Sequence, residues 1–236
     1  MRVLGVDGIS SGWVAVVLED GRFLDMTAFR HFKDLVDASP QTVAIGVDIP
    51  IGLPGYVAGD DGISRAADKE ARRRLGKGAS TIFSTPSRAH LRDVRGMSYR
   101  AAQAKWKEAG RSFPSAQSYA LAAKILEIDD FVSTDERGAR VHEIHPELSF
   151  LAMNRGRALR PAKKSWGGFV QRLRLLRNAG IEVPFLVTDV LDAHPDDVLD
   201  AAAAAWSAHR IATGEATTVP ENPPMGRQRR PMAIWV

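Results

Sequence analysis

Four aspartates and two glutamates have the types and spacing to do chemistry. Asp7 closes the apolar run Val3-Leu4-Gly5-Val6, and Asp48 closes the run Thr42-Val43-Ala44-Ile45-Gly46-Val47. Asp197 and Asp200 stand three apart in Asp197-Val-Leu-Asp200-Ala201, and Glu143 and Glu147 bracket Ile144-His145-Pro146. Carboxylates brought close repel unless a cation or a shared proton holds them, so their convergence would point to divalent-metal chemistry rather than to stability. Hard oxygen donors suit Mg2+ or Mn2+, and two such ions roughly 3.5–4 Å apart can activate water and stabilise the leaving oxygen of a phosphodiester. Each acid also has an ordinary use, because Asp before Gly or Pro caps turns and Asp in a first helical turn complements the helix dipole.

The elements that would position these acids can be read from apolar patterning. Val3 to Val6 reads as a buried strand stopped by Asp7-Gly8 and a Ser-Ser-Gly turn, and Trp13 to Leu18 as its hairpin partner. Asp20-Gly21 signals a second hairpin leading into a strand over Arg22 to Phe29. A helix from about His31 to Asp37 then returns the chain to the strand ending at Asp48. A crossover of that kind places the strand parallel to the first and beside it, which brings Asp7 and Asp48 side by side. The last helix begins at Pro195, carries Asp196 and Asp197 in its first turn and stops at Gly214. Asp197 and Asp200 share one face of it, and the five alanines Ala201 to Ala205 would let it lie close to a sheet. Helix propensity alone also accounts for the alanines. The letters Asp189-Val-Leu-Asp192-Ala193 repeat the motif upstream, but only the second copy runs into a long helix.

Taken together, Gly5-Val-Asp7-Gly8, Val47-Asp48-Ile-Pro-Ile-Gly-Leu-Pro54, Glu143-Ile-His-Pro-Glu147 and Asp197-Val-Leu-Asp200-Ala201 resemble the domain of unknown function 429 family, predicted nucleases with an RNase H-like fold. The likeness spans nearly the whole chain. The first and last motifs are also similar to those of RuvC-type Holliday-junction resolvases, although Asp48 stands where those enzymes usually have Glu. The resemblance implies an α/β, RNase H-like fold: a five-stranded mixed sheet flanked by helices, with a helical insertion between the fourth and fifth strands. It also implies a two-metal site in which Asp7, Asp48 and Asp200 hold Mg2+ or Mn2+. In the mechanism expected on that basis, Asp7 bridges two ions, Asp48 and Asp200 each complete one, and Asp197 or Glu143 orients the attacking water.

The insertion, at about residues 55–137 of a single 1–236 domain, is expected to be mostly helical, with helices over Ile63 to Leu75, Tyr99 to Glu108 and around Ser115 to Leu126. Its basic residues recur at helical spacing. Arg65, Arg72 and Arg88 are the candidates for holding the phosphates of DNA or RNA, and a solvated helical face is the alternative. Asp68 within it could pair with Arg65 or Arg72. A fifth strand over Arg140 to His145 carries Glu143, and either Glu143 or Glu147 could complete the site. His145 could serve as ligand, proton carrier or hydrogen-bonded partner. Lys163 and Lys164 could neutralise a phosphate or simply be solvated.

Composition bounds these readings. In 236 residues, 44% hydrophobic content with 25% charged residues is ordinary for a globular domain with a substantial core. No apolar run approaches the roughly 20 residues that cross a bilayer, and the strand starting at Arg2 leaves no place for a signal peptide, so a cytoplasmic location without membrane partners is expected. Zero cysteines exclude disulfides, thiolate metal sites and cysteine nucleophiles. A net charge of +4 is compatible with phosphate partners, and the oligomeric state stays open, a homodimer included. The apolar ending Met232 to Val236 is expected to add a short strand to a sheet edge. Two alternatives remain beside the nuclease: an actin-like or sugar-kinase-type phosphotransferase using Asp7-Gly8 and Gly12, and a non-catalytic RNase H-like module that binds nucleic acid or protein.

Overall fold

Alternation along the central strand decides what each face of the sheet becomes. The computed structural model describes residues 1–54, 65–108, 113, 115–184, 192–226 and 230–236. Strand β1 (Arg2–Ile9) pairs antiparallel with β2 (Gly12–Glu19), which pairs antiparallel with β3 (Arg22–Phe29). Helix α1 (Phe32–Asp37) leads to β4 (Thr42–Val47), parallel to β1, and β5 (Val141–Glu143) is parallel to β4. The five-stranded sheet is therefore mixed, in the order β3-β2-β1-β4-β5. Helices flank it on both sides.

Leu4, Val6, Ile45, Val47 and Val141 face one core, together with Trp13 and Phe32. Val3, Val14, Val16 and Ala44 face the other. The long helix α9 (Pro195–Thr213) lies across this second face. Its alanines permit an unusually close seat: a Cβ at Gly5 would stand 2.0 Å from the Ala201 carbonyl oxygen and 1.9 Å from the Ala205 nitrogen. One at Gly46 would stand 2.6 Å from the Ala204 carbonyl oxygen. No side chain larger than hydrogen fits there.

The intervening segment holds α2 (Ala66–Leu75), α3 (Arg88–Asp93), α4 (Tyr99–Glu108), α5 (Ala116–Ala120) and α6 (Ala122–Thr134). Ile63 and Ser64, at the expected start of the first of these, lie outside the described residues. Helix α3 has no counterpart in the expected set, and the single helix around Ser115 to Leu126 is two helices, the second running to Thr134. Ile125, Leu126, Ile128 and Phe131 of α6 pack into the first core, so part of the expected insertion supplies the layer opposite α9. After β5, α7 (Pro146–Met153) and α8 (Trp166–Asn178) precede α9. The C-terminal strand β7 (Ile234–Trp235) pairs with β6 (Thr218–Val219) in a separate two-stranded sheet and meets β5 through the Ile144–Trp235 bridge and an edge-to-face contact of Trp235 with His142. Asp189 to Leu191 of the repeated motif and Arg227 to Arg229 of the tail lie outside the described residues. No helix among the described residues is long and apolar enough to cross a membrane.

Candidate functional site

Asp7 lies two residues beyond Gly5 and therefore projects to the same face of β1, the one covered by α9. Asp48 stands in the same relation to Gly46, and its N–H donates to the Val6 carbonyl at 3.1 Å, extending the parallel ladder one residue past β4. Asp200 is one helical turn before Ala204, the residue seated on Gly46. A two-residue strand step of roughly 6.6 Å and a helical turn of about 5.4 Å nearly match, so the three acids arrive at one level.

Their electrostatics follow from that approach. Burial pushes Asp7 well above the usual carboxylate range, and Asp200 and Asp48 push it further. Burial also raises Asp48 to about 7 against the opposing pull of Lys163, with Glu147 adding to the rise. Asp200, 4% exposed, is raised to about 7 by burial, opposed by Lys163 and reinforced by Asp48. Asp7 and Asp48 are only partly buried, so the cluster keeps an opening to solvent. The Gly8 N–H donates to Asp7 Oδ1 at 2.7 Å and fixes that carboxylate.

Lys163 enters this cluster from the loop before α8. Its Nζ donates to Asp200 Oδ2 and stands 3.6 Å from Asp196 Oδ2. Burial would strip its proton, but Asp200, Asp7 and Asp196 outweigh that and hold it firmly charged. Asp200 Oδ1 is buried with no hydrogen-bond partner. Among the described residues no three Asp, Glu or His side chains are spaced to hold one ion as they stand. What the three aspartates offer is donor chemistry alone: acid oxygens, the kind hard divalent cations take, from two strand ends and a helix, with Asp200 Oδ1 unpartnered.

The other expected site residues sit elsewhere. Glu143 pairs in register with Val47 and so faces the opposite core from Asp48. There it accepts from Arg65 Nη1 at 2.7 Å, Arg65 Nη2 at 2.6 Å and the Ile51 N–H at 2.7 Å. Arg65 is 3% exposed, is held also by Asp68, and has no face left for a substrate phosphate. Arg72 donates to the Ile82 carbonyl and to Ser84 Oγ, both at 3.0 Å, tying α2 to the chain that follows. Arg88 is bidentate on Asp129. All three arginines therefore have protein partners, Arg65 across to β5 and Arg72 and Arg88 within the intervening segment. Asp197 Oδ2 accepts from the His194 N–H at 2.9 Å and caps α9, leaving it at the rim of the cluster. Glu147 is clamped by buried Arg172 and acts on Asp48 and Asp200 only through space. His145 stands with Nε2 3.4 Å from the Thr81 carbonyl oxygen, beside a cavity of about 70 Å3 lined by Asp48, Thr85 and Ser118. A larger groove of about 420 Å3, along β5 and Trp235, contains none of the three aspartates.

The family of this arrangement is decided by comparison with known proteins. A family model described as a protein of unknown function (DUF429) matches residues 5–225. The chain belongs to the DUF429 family. The match spans all three aspartates and the intervening helices. No curated protein and no solved structure matches this DUF429 chain.

Proposed function

We propose that this protein is a divalent-metal-dependent phosphodiester hydrolase of RNase H-like architecture that acts on nucleic acid. The reading is carried by one observation: Asp7, Asp48 and Asp200 gather three acid groups from two strand ends and a helix, and among the described residues one lysine, Lys163, hydrogen-bonds to them. Such a surplus costs stability unless a cation joins it. Bound Mg2+ or Mn2+ would supply a Lewis acid and an activated water.

The chain's own part is to hold and orient. Asp7, on the central strand with Oδ1 fixed by Gly8, is the rigid ligand; Asp48 and Asp200 close on it from either side. Asp196 and Asp197 line the rim, where they would hold a polar attacking group near the centre. Substrate phosphates fall to exposed cations that make no ion pair among the described residues, namely Lys69, Lys77, Arg95, Arg100 and Lys107. The phosphotransferase alternative fits less well, because the hydroxyls of Ser10 and Ser11, at the hairpin tip where phosphate would sit, donate to the Asp192 carboxylate.

The test is a Mg2+ and Mn2+ activity screen over single-stranded, duplex, hybrid and branched nucleic acids, run beside Asp7→Asn. Loss of activity on the order of a thousand-fold or more, with an unchanged circular dichroism spectrum, is expected. Equal activity of the two proteins would overturn the proposal.

A further inference from the structure

Arg230 is a partly buried cation that makes no ion pair among the described residues. Its Nη1 donates to the Gly138 carbonyl at 2.6 Å and its Nη2 to the Val141 carbonyl at 2.5 Å, so the guanidinium is fixed at the outer edge of β5 by groups that carry no charge. Burial pulls it below the ordinary arginine value, and no carboxylate offsets that pull. The acids along the same groove are spent elsewhere or stand apart: Glu143 is held by Arg65 and Asp135 by Arg137, while Glu136 lies exposed at the rim. Arg230 keeps N–H groups to spare, and its charge lacks a counter-ion.

Two rings share this groove of about 420 Å3 with it. His142 and Trp235 meet with centroids 5.4 Å apart and planes at 74°, so a flat group laid on the indole turns its edge toward the imidazole. Burial, with the charge of Arg230, presses His142 down to about 4, which leaves the ring neutral at pH 7 with one donor and one acceptor. Neither ring nitrogen has a hydrogen-bond partner among the described residues. Ile51, Val141 and Ala233 add apolar wall. A flat heteroaromatic with a polar edge matches the two rings, an anion matches the guanidinium, and a nucleotide carries both.

Register sets the groove beside the aspartates. Val47 lies opposite Glu143, which brings Asp48 next to Ile144, and Ile144 bridges to Trp235. Trp235 is therefore two strand spacings, roughly 10 Å, from Asp48 across the sheet. Near neighbours in one nucleic-acid strand span such a gap. We propose that the groove between β5 and β7 binds one unpaired nucleotide, with its base against Trp235 and His142 and its phosphate toward Arg230. A base inside a duplex has both faces covered, so the site selects unpaired over paired nucleic acid. This rests on the nucleic-acid reading above and names the kind of strand it takes.

The test is fluorescence anisotropy of a short dye-labelled oligothymidylate on the full-length protein in EDTA, beside an abasic oligomer of equal length and the matching duplex. Wild type should bind the base-bearing single strand more tightly than either. Trp235→Leu, which keeps bulk and removes the aromatic face, should weaken that binding about 5- to 150-fold and leave the abasic oligomer unaffected, while Trp235→Phe keeps most of the affinity. Arg230→Gln should lower the salt slope by about 0.7, and Arg230→Lys should preserve it. Displacement of the strand by thymidine monophosphate would show that a free nucleotide fills the same site, and its failure would tie the site to a strand. Equal wild-type affinity for abasic and base-bearing oligomers would overturn the proposal without any variant having to fold. An unchanged preference in Trp235→Leu, folded by circular dichroism, would overturn it too. Either failure leaves the hydrolase reading to the Asp7→Asn screen, whereas base-dependent binding by a wild-type chain without turnover would keep this site and remove that reading.

Discussion

The two faces of the sheet each bury a cluster of charges, and the clusters are built on opposite plans. On the α6 side, Arg65 meets Glu143 and Asp68, both Glu143 oxygens accept hydrogen bonds, and side-chain exposures of 1% for Arg65, 2% for Asp68 and 5% for Glu143 close it to water. On the α9 side, one lysine bonds to one of three aspartates, a buried Asp200 oxygen has no partner, and two of the acids reach solvent. A buried charge with every donor and acceptor used holds structure, whereas one with a surplus and an opening awaits a ligand. Burial alone does not distinguish them; the count of partners does.

The largest expected effect comes from attacking the two plans in parallel. Asp7→Asn should abolish hydrolysis yet leave the fold at least as stable, because it removes repulsion. Arg65→Met should do the reverse, stranding Glu143 and Asp68 in the interior at a cost of about 3–5 kcal/mol. At about 2–4 °C per kcal/mol for a chain of this size, melting should fall by roughly 6–20 °C. Similar melting temperatures for Arg65→Met and wild type would erase the distinction between the faces.

The pH response of the metal-free protein sharpens it. Asp48 and Asp200 are raised to about 7 in the fold, so between about pH 4 and 7 the folded chain binds more protons than the unfolded one. Stability from these groups is complete below about pH 4 and is lost as pH rises through 7. Thermal melts should therefore drop by several degrees between pH 5 and 8, with saturating Mg2+ recovering most of the loss. A melting temperature that rises over that interval in metal-free buffer would contradict the surplus of buried acid.

A smaller effect separates paired from unpaired cations. Replacing Arg95, Arg100 and Lys107 together by Gln should weaken nucleic-acid binding and lower its salt slope by about 2–3, at roughly 0.7–0.9 per phosphate contact. Arg88→Gln should leave the slope unchanged, since Asp129 already neutralises that guanidinium. Filter binding across a salt series reads both, and a slope lost with Arg88 would reverse the assignment.

The acids of the α9 face were legible in the sequence because each follows a local signal: an apolar run that stops, a crossover that fixes strand order, a helix that starts at Pro195. The alanine stretch also announced a close helix. Glu143 misled because alternation puts it on the face of Val141 without saying which side of the sheet that face joins. The register decides it: Val141 lies opposite Ile45 and Glu143 opposite Val47, so Glu143 faces the side that Asp48 does not. Arg65 finds its partner 78 residues away, a pairing that helical spacing cannot reveal. Lys163 sits in a loop with no motif around it, and only the fold brings it 37 residues along the chain to Asp200. The place of α6 was hidden for a similar reason: an amphipathic helix in an intervening segment does not say which sheet it will cover.

Gly5 and Gly46 also have a consequence for the chemistry. Each is the contact on which α9 rests two residues before an aspartate, so the missing side chains act as a gauge block that sets the gap between the strand acids and the helix acid. A single methyl at either place would wedge the layers apart and slacken the grip on any shared cation, without touching one of the groups that grips it.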